Sequence, residues 1–244
     1  MIRFSPYISI YDLHKDFEAV DEVIWTFSKN LKGIGTGRQR FNIHLVDNMD
    51  SERQHLDGSI KSIWKYLDQD NIRKEPLSTQ KEIFLELITD SFLSVADELD
   101  WDKTSIKSAK EKSLEDRIEF EFLSKPRHNR SKNKSGLVKL KLNGDKVSIY
   151  AVLKIKNQSE SKEILMVDSF TLYISWLNTF KEYKWINEEN FGFVFSNGVT
   201  LTCSFNKPKG IWKYKDSEED RGFIRSVTYK KLSSVRERIE WMNY

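Results

Sequence analysis

Three charged groups late in the chain have the types that could do chemistry together. Asp168 closes the apolar run Ile164 to Val167, and Glu182 and Lys184 follow it, flanking Tyr183. Two carboxylates of this kind can hold Mg²⁺ while an amine helps activate water. The four histidines, His14, His44, His55 and His128, are scattered, and no two share the spacing of one helix face or one strand. His44 and Asp47 could meet, but a zinc site normally takes three or four ligands, so no metal is expected. Cys203 has the strand parity of Val199, Leu201 and Phe205, which marks a small buried hydrophobe rather than a nucleophile. Gly33, Gly35 and Gly37, with Arg38 and Arg40 beside them, stand where a helix ends and a strand begins. A dinucleotide fingerprint runs the other way, from strand through glycines into helix, so these glycines read as a helix stop and connection. No Gly-x-Ser-x-Gly elbow is present.

The order of an acid followed by Glu-x-Lys resembles that of the restriction-endonuclease-like nucleases, in which the second acid and the lysine lie on a strand beside the first acid. The resemblance implies a metal-dependent nuclease built on Asp168, Glu182 and Lys184. In this sequence Glu182 and Lys184 flank the end of a helical pattern, and a chain that is 32% charged contains such short patterns by chance. Solvated charges are the more economical reading. No catalytic residue, metal or cofactor is therefore assigned, and the sequence leans away from an enzyme.

The basic segment is different in kind. Lys125, Arg127, Arg130, Lys132 and Lys134 lie within ten residues, and no acid occurs from Phe122 to Gly144. Pro, Asn, Ser and Gly make 125–136 an exposed connection between strands, suited to contact phosphates or an acidic protein surface. Nine aromatic residues crowd 170–195. Phe191, Phe193 and Phe195 alternate into a core and Phe170, Tyr173 and Phe180 follow one helical stripe, which leaves Trp176, Tyr183 and Trp185 as candidate surface anchors.

Charge divides the chain in two. Residues 1–121 carry 17 Lys+Arg and 24 Asp+Glu, net −7, whereas 122–244 carry 23 and 13, net +10. At 244 residues the chain can bury a core without staples, and a single cysteine excludes an internal disulfide. The longest uncharged stretch that tempts a membrane assignment, 169–180, falls far short of the roughly 20 apolar residues needed to span. The first residues lack the features of a secretory signal. A cytoplasmic location with no membrane partner is the expectation.

The elements that must position these groups follow from periodicity. Ile8 and Ile10 alternate like a strand, and Asp12 is placed to cap a helix carrying Leu13, Phe17, Val20, Ile24, Phe27 and Leu31. Phe41, Ile43 and Leu45 predict a strand. Leu56, Ile60, Ile63, Trp64 and Leu67 have helical spacing and predict a second helix. Ser78 caps a third, carrying Phe84, Leu87, Ile88, Phe92 and Val95, and a shorter polar helix covers about 105–114. From Arg117 the period becomes two, through Ile118, Phe120 and Phe122. Asn143-Gly144 and Asn197-Gly198 then mark two hairpins. A helix over about 170–180, a strand over 223–229 and a closing helix with Val235, Ile239 and Met242 complete the pattern.

The predicted fold is α+β: a mainly helical N-terminal half, then an antiparallel β-sheet with hairpins and a C-terminal helix. Two regions are expected, 1–116 acidic and helical and 117–244 basic and sheet-forming, packed as one unit. The leading functional expectation is a non-enzymatic cytoplasmic protein that binds another protein with a charged surface, as inhibitors and toxin-neutralising immunity proteins do. The alternative is a nucleic-acid-binding protein using the basic loop, and the third a metal-dependent nuclease.

Overall fold

β1 (Tyr7–Tyr11) and β2 (Arg40–Val46) lie side by side and parallel, joined by α1 (Ala19–Asn30), as a βαβ unit requires. The computed structural model describes residues 7–13, 17–34, 40–144, 146–170, 183–195, 198–214 and 221. β3 (Arg53–His55) and β4 (Ile60–Tyr66) follow a 3₁₀ turn at Met49–Ser51, and β4 pairs in parallel with β2 and antiparallel with β3. The order across this sheet is β1-β2-β4-β3. α2 (Gln69–Ile72), α3 (Leu77–Val95) and α4 (Lys103–Glu115) complete the first of two compact units, residues 2–120.

Phe41, Ile43, Leu45 and Ile63 turn one face of this sheet inward, each at most 4% exposed. Phe92 of α3 meets Phe41 with ring centroids 4.1 Å apart and Phe27 of α1 at 5.5 Å. Of the stripe predicted for α1, Phe17, Val20, Ile24, Phe27 and Leu31 are buried, whereas Leu13 is half-buried and precedes the helix, which begins at Ala19; Asp12 instead takes a positive φ of 64°. Ser78 lies inside α3, after Pro76. α4 is capped by Asp102, whose carboxylate accepts from the amides of Thr104 and Ser105 at 3.0 Å each. Its bonds with Ser105 and Thr104 hold that carboxyl below its usual range.

The expected helical N-terminal half is overturned. Residues 56–67 are not a helix: the apolar positions at helical spacing belong to a hairpin arm. The local chemistry explains the error. Asp57-Gly58 is a turn, with Gly58 at φ +58° and its amide donating to Asp57 Oδ1 at 2.7 Å, and Ile60, Ile63, Trp64 and Tyr66 are residues that favour strands. Among the described residues the protein is predominantly β, with thirteen strands in three sheets and four α-helices. The C-terminal helix predicted around Val235 to Met242, the strand at 223–229 and the helix at 170–180 lie outside the described residues or, at Phe170, end a strand.

The second unit, 121–244, contains the other two sheets. β5 (Glu121–Leu123), β6 (Arg127–His128), β7 (Lys134–Asn143), β8 (Lys146–Ile155) and β9 (Ser161–Phe170) form a five-stranded antiparallel sheet. β5 starts later than the period-two pattern, because Arg117 and Ile118 leave α4 with φ of 55° and 51°. The β7–β8 hairpin turns at Asn143-Gly144, with Gly144 at φ 62°. β10 (Tyr183–Trp185), β11 (Phe191–Val194), β12 (Thr200–Cys203) and β13 (Ile211–Lys213) form the other sheet in that order. Gly136 of β7 is where the sheets meet, since a Cβ there would stand 2.7 Å from the Phe191 ring.

Candidate functional site

The basic segment is built rather than loose. β5 and β6 both pair with the same edge of β7, Leu123 opposite Lys139 and Arg127 opposite Gly136, so residues 124–126 only bridge two short strands. The chain then turns through 129–133 at Asn129, which is 3% exposed amid exposed cations. Its Nδ2 donates to Asn133 Oδ1 and to Glu188 Oε2, both at 2.6 Å, while its Oδ1 accepts from the Lys134 amide at 2.9 Å. Ser131 Oγ donates to Glu188 Oε2 at 2.7 Å, and Lys132 takes a positive φ of 56° to close the turn. A buried amide satisfied on both its oxygen and nitrogen fixes the backbone around it.

The aromatic residues of β10 hold the other limb. Trp185 Nε1 donates to the Arg127 carbonyl at 2.9 Å and Tyr183 OH to the Lys125 carbonyl at 3.2 Å. The Arg127 guanidinium lies 5.5 Å from the centre of the Tyr183 ring. The Trp185 ring rests 5.5 Å from Phe191. Tyr183 and Trp185 are therefore half-buried supports for the turn, not the exposed anchors that the sequence suggests, and Trp176 lies outside the described residues.

The five cations divide. Lys134 is engaged, its Nζ 2.5 Å from Glu189 Oε1 and 3.2 Å from the Glu188 carbonyl. Lys125, Arg127, Arg130 and Lys132 are exposed, and among the described residues none has a carboxylate within ion-pair distance. The turn thus offers four outward cations on a fixed backbone. Asn129, Glu188 and Glu189 build it, and the sequence alone does not single them out. The signal it does carry is an asparagine flanked by basic residues, a type that bonds its own turn.

Asp168 sits on β9 with Oδ2 2.9 Å from Lys146 Nζ, Lys184 is exposed on β10, and Glu182 lies outside the described residues. His44 meets Asp12, with 3.1 Å between Nδ1 and Asp12 Oδ2. Cys203 is 1% exposed, and burial pushes its thiol up to about 12, which removes the thiolate that a nucleophile needs. α1 ends at Asn30 with Leu31 as its C-cap, so Gly33, at φ 73°, lies beyond the helix end, while Gly35 and Gly37 lie outside the described residues.

Among the described residues no three His, Cys, Asp or Glu side chains gather as a metal site, and no helix is long and apolar enough to cross a membrane. Comparison with protein-family models, with curated proteins and with solved structures finds no match.

Proposed function

We propose that the protein binds nucleic acid, with the turn at 125–133 contacting the phosphate backbone. The observation that carries this reading is the division of labour in the turn: its aromatic and amide groups face inward to fix it, and Lys125, Arg127, Arg130 and Lys132 face solvent. A fixed backbone lowers the entropy that mobile lysines and arginines would lose on binding. Recognition of a folded protein partner, the leading expectation from sequence, has less support here. A stable protein interface needs large side chains in a desolvated centre, and Tyr183 and Trp185 are occupied in supporting the turn.

The test is a titration of a fluorescein-labelled oligonucleotide, single-stranded or duplex, followed by anisotropy across a range of salt. Binding is expected to weaken steeply with salt. Replacing Lys125, Arg127, Arg130 and Lys132 by Ala should weaken it further and reduce the slope of log K against log salt by about 0.7 to 0.9 for each phosphate that is no longer neutralised. Unchanged affinity and slope in that variant, with the circular dichroism spectrum preserved, would remove the turn from the binding surface. A stoichiometric complex with a protein partner that resists both nuclease and moderate salt would favour protein recognition instead.

A further inference from the structure

The N-terminal sheet has a second face, turned away from Phe92 and the helices. The register places its rows. Tyr11, His44, Trp64 and Arg53 are cross-strand neighbours, and their planar groups stack: Tyr11 on His44 at 5.0 Å and 17°, His44 on Trp64 at 4.8 Å and 13°, and the Arg53 guanidinium 4.4 Å from the centre of the Trp64 ring. These separations match the spacing of adjacent strands, about 4.8 Å, so the rings stand upright as a wall across all four strands. Arg53 closes one end of the stack. At the other end, on the edge strand β1, one side of Tyr11 is covered by His44 and the side chain is 43% exposed.

Four residues back along β1 and β2, Tyr7, Arg40 and Ile60 form a second ridge, with Tyr7 56% and Ile60 44% exposed. Between the two ridges lies a row of small polar side chains, Ser9, Asn42 and Ser62, ending at His55. Two tall rows flanking a low one make a trough. At about 3.3 Å per residue the ridges stand roughly 13 Å apart along the strands, which admits one extended chain. The floor carries hydroxyl and amide groups; Ser62 is 8% exposed, and the buried Asn42 Oδ1 has no hydrogen-bond partner among the described residues.

Charge decides what fits. None of the outward positions of β1 to β4 is Asp or Glu, although residues 1–121 as a whole carry net −7. Two carboxylates near these strands are engaged: Asp12 with His44, and Glu52 with Lys65 at 3.2 Å and with the Tyr66 amide at 3.0 Å. Arg40 and Arg53 are exposed on opposite ridges, and among the described residues neither has a carboxylate within ion-pair distance.

We infer that this face is a binding trough for single-stranded nucleic acid: a base stacks on the open side of Tyr11, base edges lie over Ser9, Asn42 and Ser62, and phosphates meet Arg40 and Arg53. Upright rings, hydrogen-bonding groups on the floor and cations on the ridges are the combination by which proteins hold unpaired strands. The trough takes the same class of partner as the basic turn but stands on its own residues in the other compact unit.

The experiment uses the full chain with the turn already neutralised by Lys125→Ala, Arg127→Ala, Arg130→Ala and Lys132→Ala. A fluorescein-labelled oligothymidylate and a duplex of equal length are titrated at low salt. The neutralised chain is expected to retain single-strand binding and to prefer it over the duplex. Adding Tyr7→Ala with Tyr11→Ala should cost tenfold or more, and Arg53→Glu should abolish most of the remainder while leaving the thermal midpoint nearly unchanged. If the neutralised chain binds no oligonucleotide while the parent does, the trough is overturned and the turn reading stands. If the parent and the neutralised chain bind alike and the Tyr7 and Tyr11 changes remove binding, the turn reading fails and the trough stands. Equal binding of duplex and single strand, or indifference to both sets of changes in chains with unchanged circular dichroism, overturns the trough.

Discussion

In the turn at 125–133, Arg130 and Lys132 are exposed on a backbone that an amide and a carboxylate hold in place, whereas on the N-terminal sheet the Arg53 guanidinium lies over Trp64, itself stacked on His44. The turn offers point charges in water, which salt screens within roughly 10 Å. The sheet offers a cation bound to a ring, so part of its attraction for a ligand comes from surface contact that salt leaves alone. If both proposals hold, the turn would supply reach and the sheet geometry. The scaffolds differ likewise. An apolar core of packed rings supports one, and hydrogen bonds from Asn129, Tyr183 and Trp185 support the other.

The largest effect should come from the core under the sheet. Glu22 of α1 is 3% exposed and its Oε2 lies 2.8 Å from Lys81 Nζ of α3, which also donates to the Ile118 carbonyl at 3.3 Å. Glu22→Ala leaves the ammonium without its partner and is expected to cost about 3 kcal/mol in urea unfolding. A cost near zero would mean that water reaches Lys81 and that this core is looser than its burial implies. Next is Asn129→Ala, which strips the Lys134 amide and the Glu188 carboxylate of a shared partner and should cost about 2 kcal/mol. Limited proteolysis should then cut at 129–133; a turn that stays uncut would place its rigidity in Tyr183 and Trp185 alone.

The smallest concerns pH. The hydrogen bond from Lys29 holds the Asp116 carboxyl below its ordinary range, against partial desolvation and with help from Asn30. A carboxyl whose folded value is depressed stabilises above its unfolded value, near 4, and the contribution disappears as pH falls through the folded value. Asp116→Asn should thus lower the thermal midpoint at neutral pH by the equivalent of about 0.5 kcal/mol, and the gap from the parent should close as pH falls below 4. A gap that persists in acid would assign the loss to the hydrogen-bond geometry of Asn30 and not to charge.

Features confined to neighbouring residues were legible in the sequence. The Asn143-Gly144 hairpin, the alternation of Phe191 and Phe193, the long α3 helix and the cluster of cations at 125–134 each declare themselves within one continuous run of sequence. Residues 56–67 misled because Ile60, Ile63, Trp64 and Leu67 fit a helical stripe as well as a strand pattern, and Asp57-Gly58, the turn that separates the readings, falls within the stripe. The support of the basic turn was hidden for another reason: Asn129 and Glu188 lie 59 positions apart. The trough was hidden most completely, since β1, β2, β3 and β4 each contribute one side chain to a row that only parallel and antiparallel pairing brings together.

β9, the outer strand of the five-stranded sheet, breaks step with its neighbour: Ile149 pairs with Val167 but Tyr150 with Leu165, so Met166 is the extra residue of a bulge. The bulge lets Ile164, Met166 and Val167 all face the core despite the strand's alternation, each at most 6% exposed. Gly210 seats its backbone against Met166, where a Cβ would come within 2.7 Å of the Met166 carbonyl, and its amide donates to the Leu165 carbonyl at 2.8 Å. A sheet margin kinked and partly covered in this way is a poor template for another chain. A side chain at position 210 would push this segment off the strand margin and leave more of β9 open to pairing.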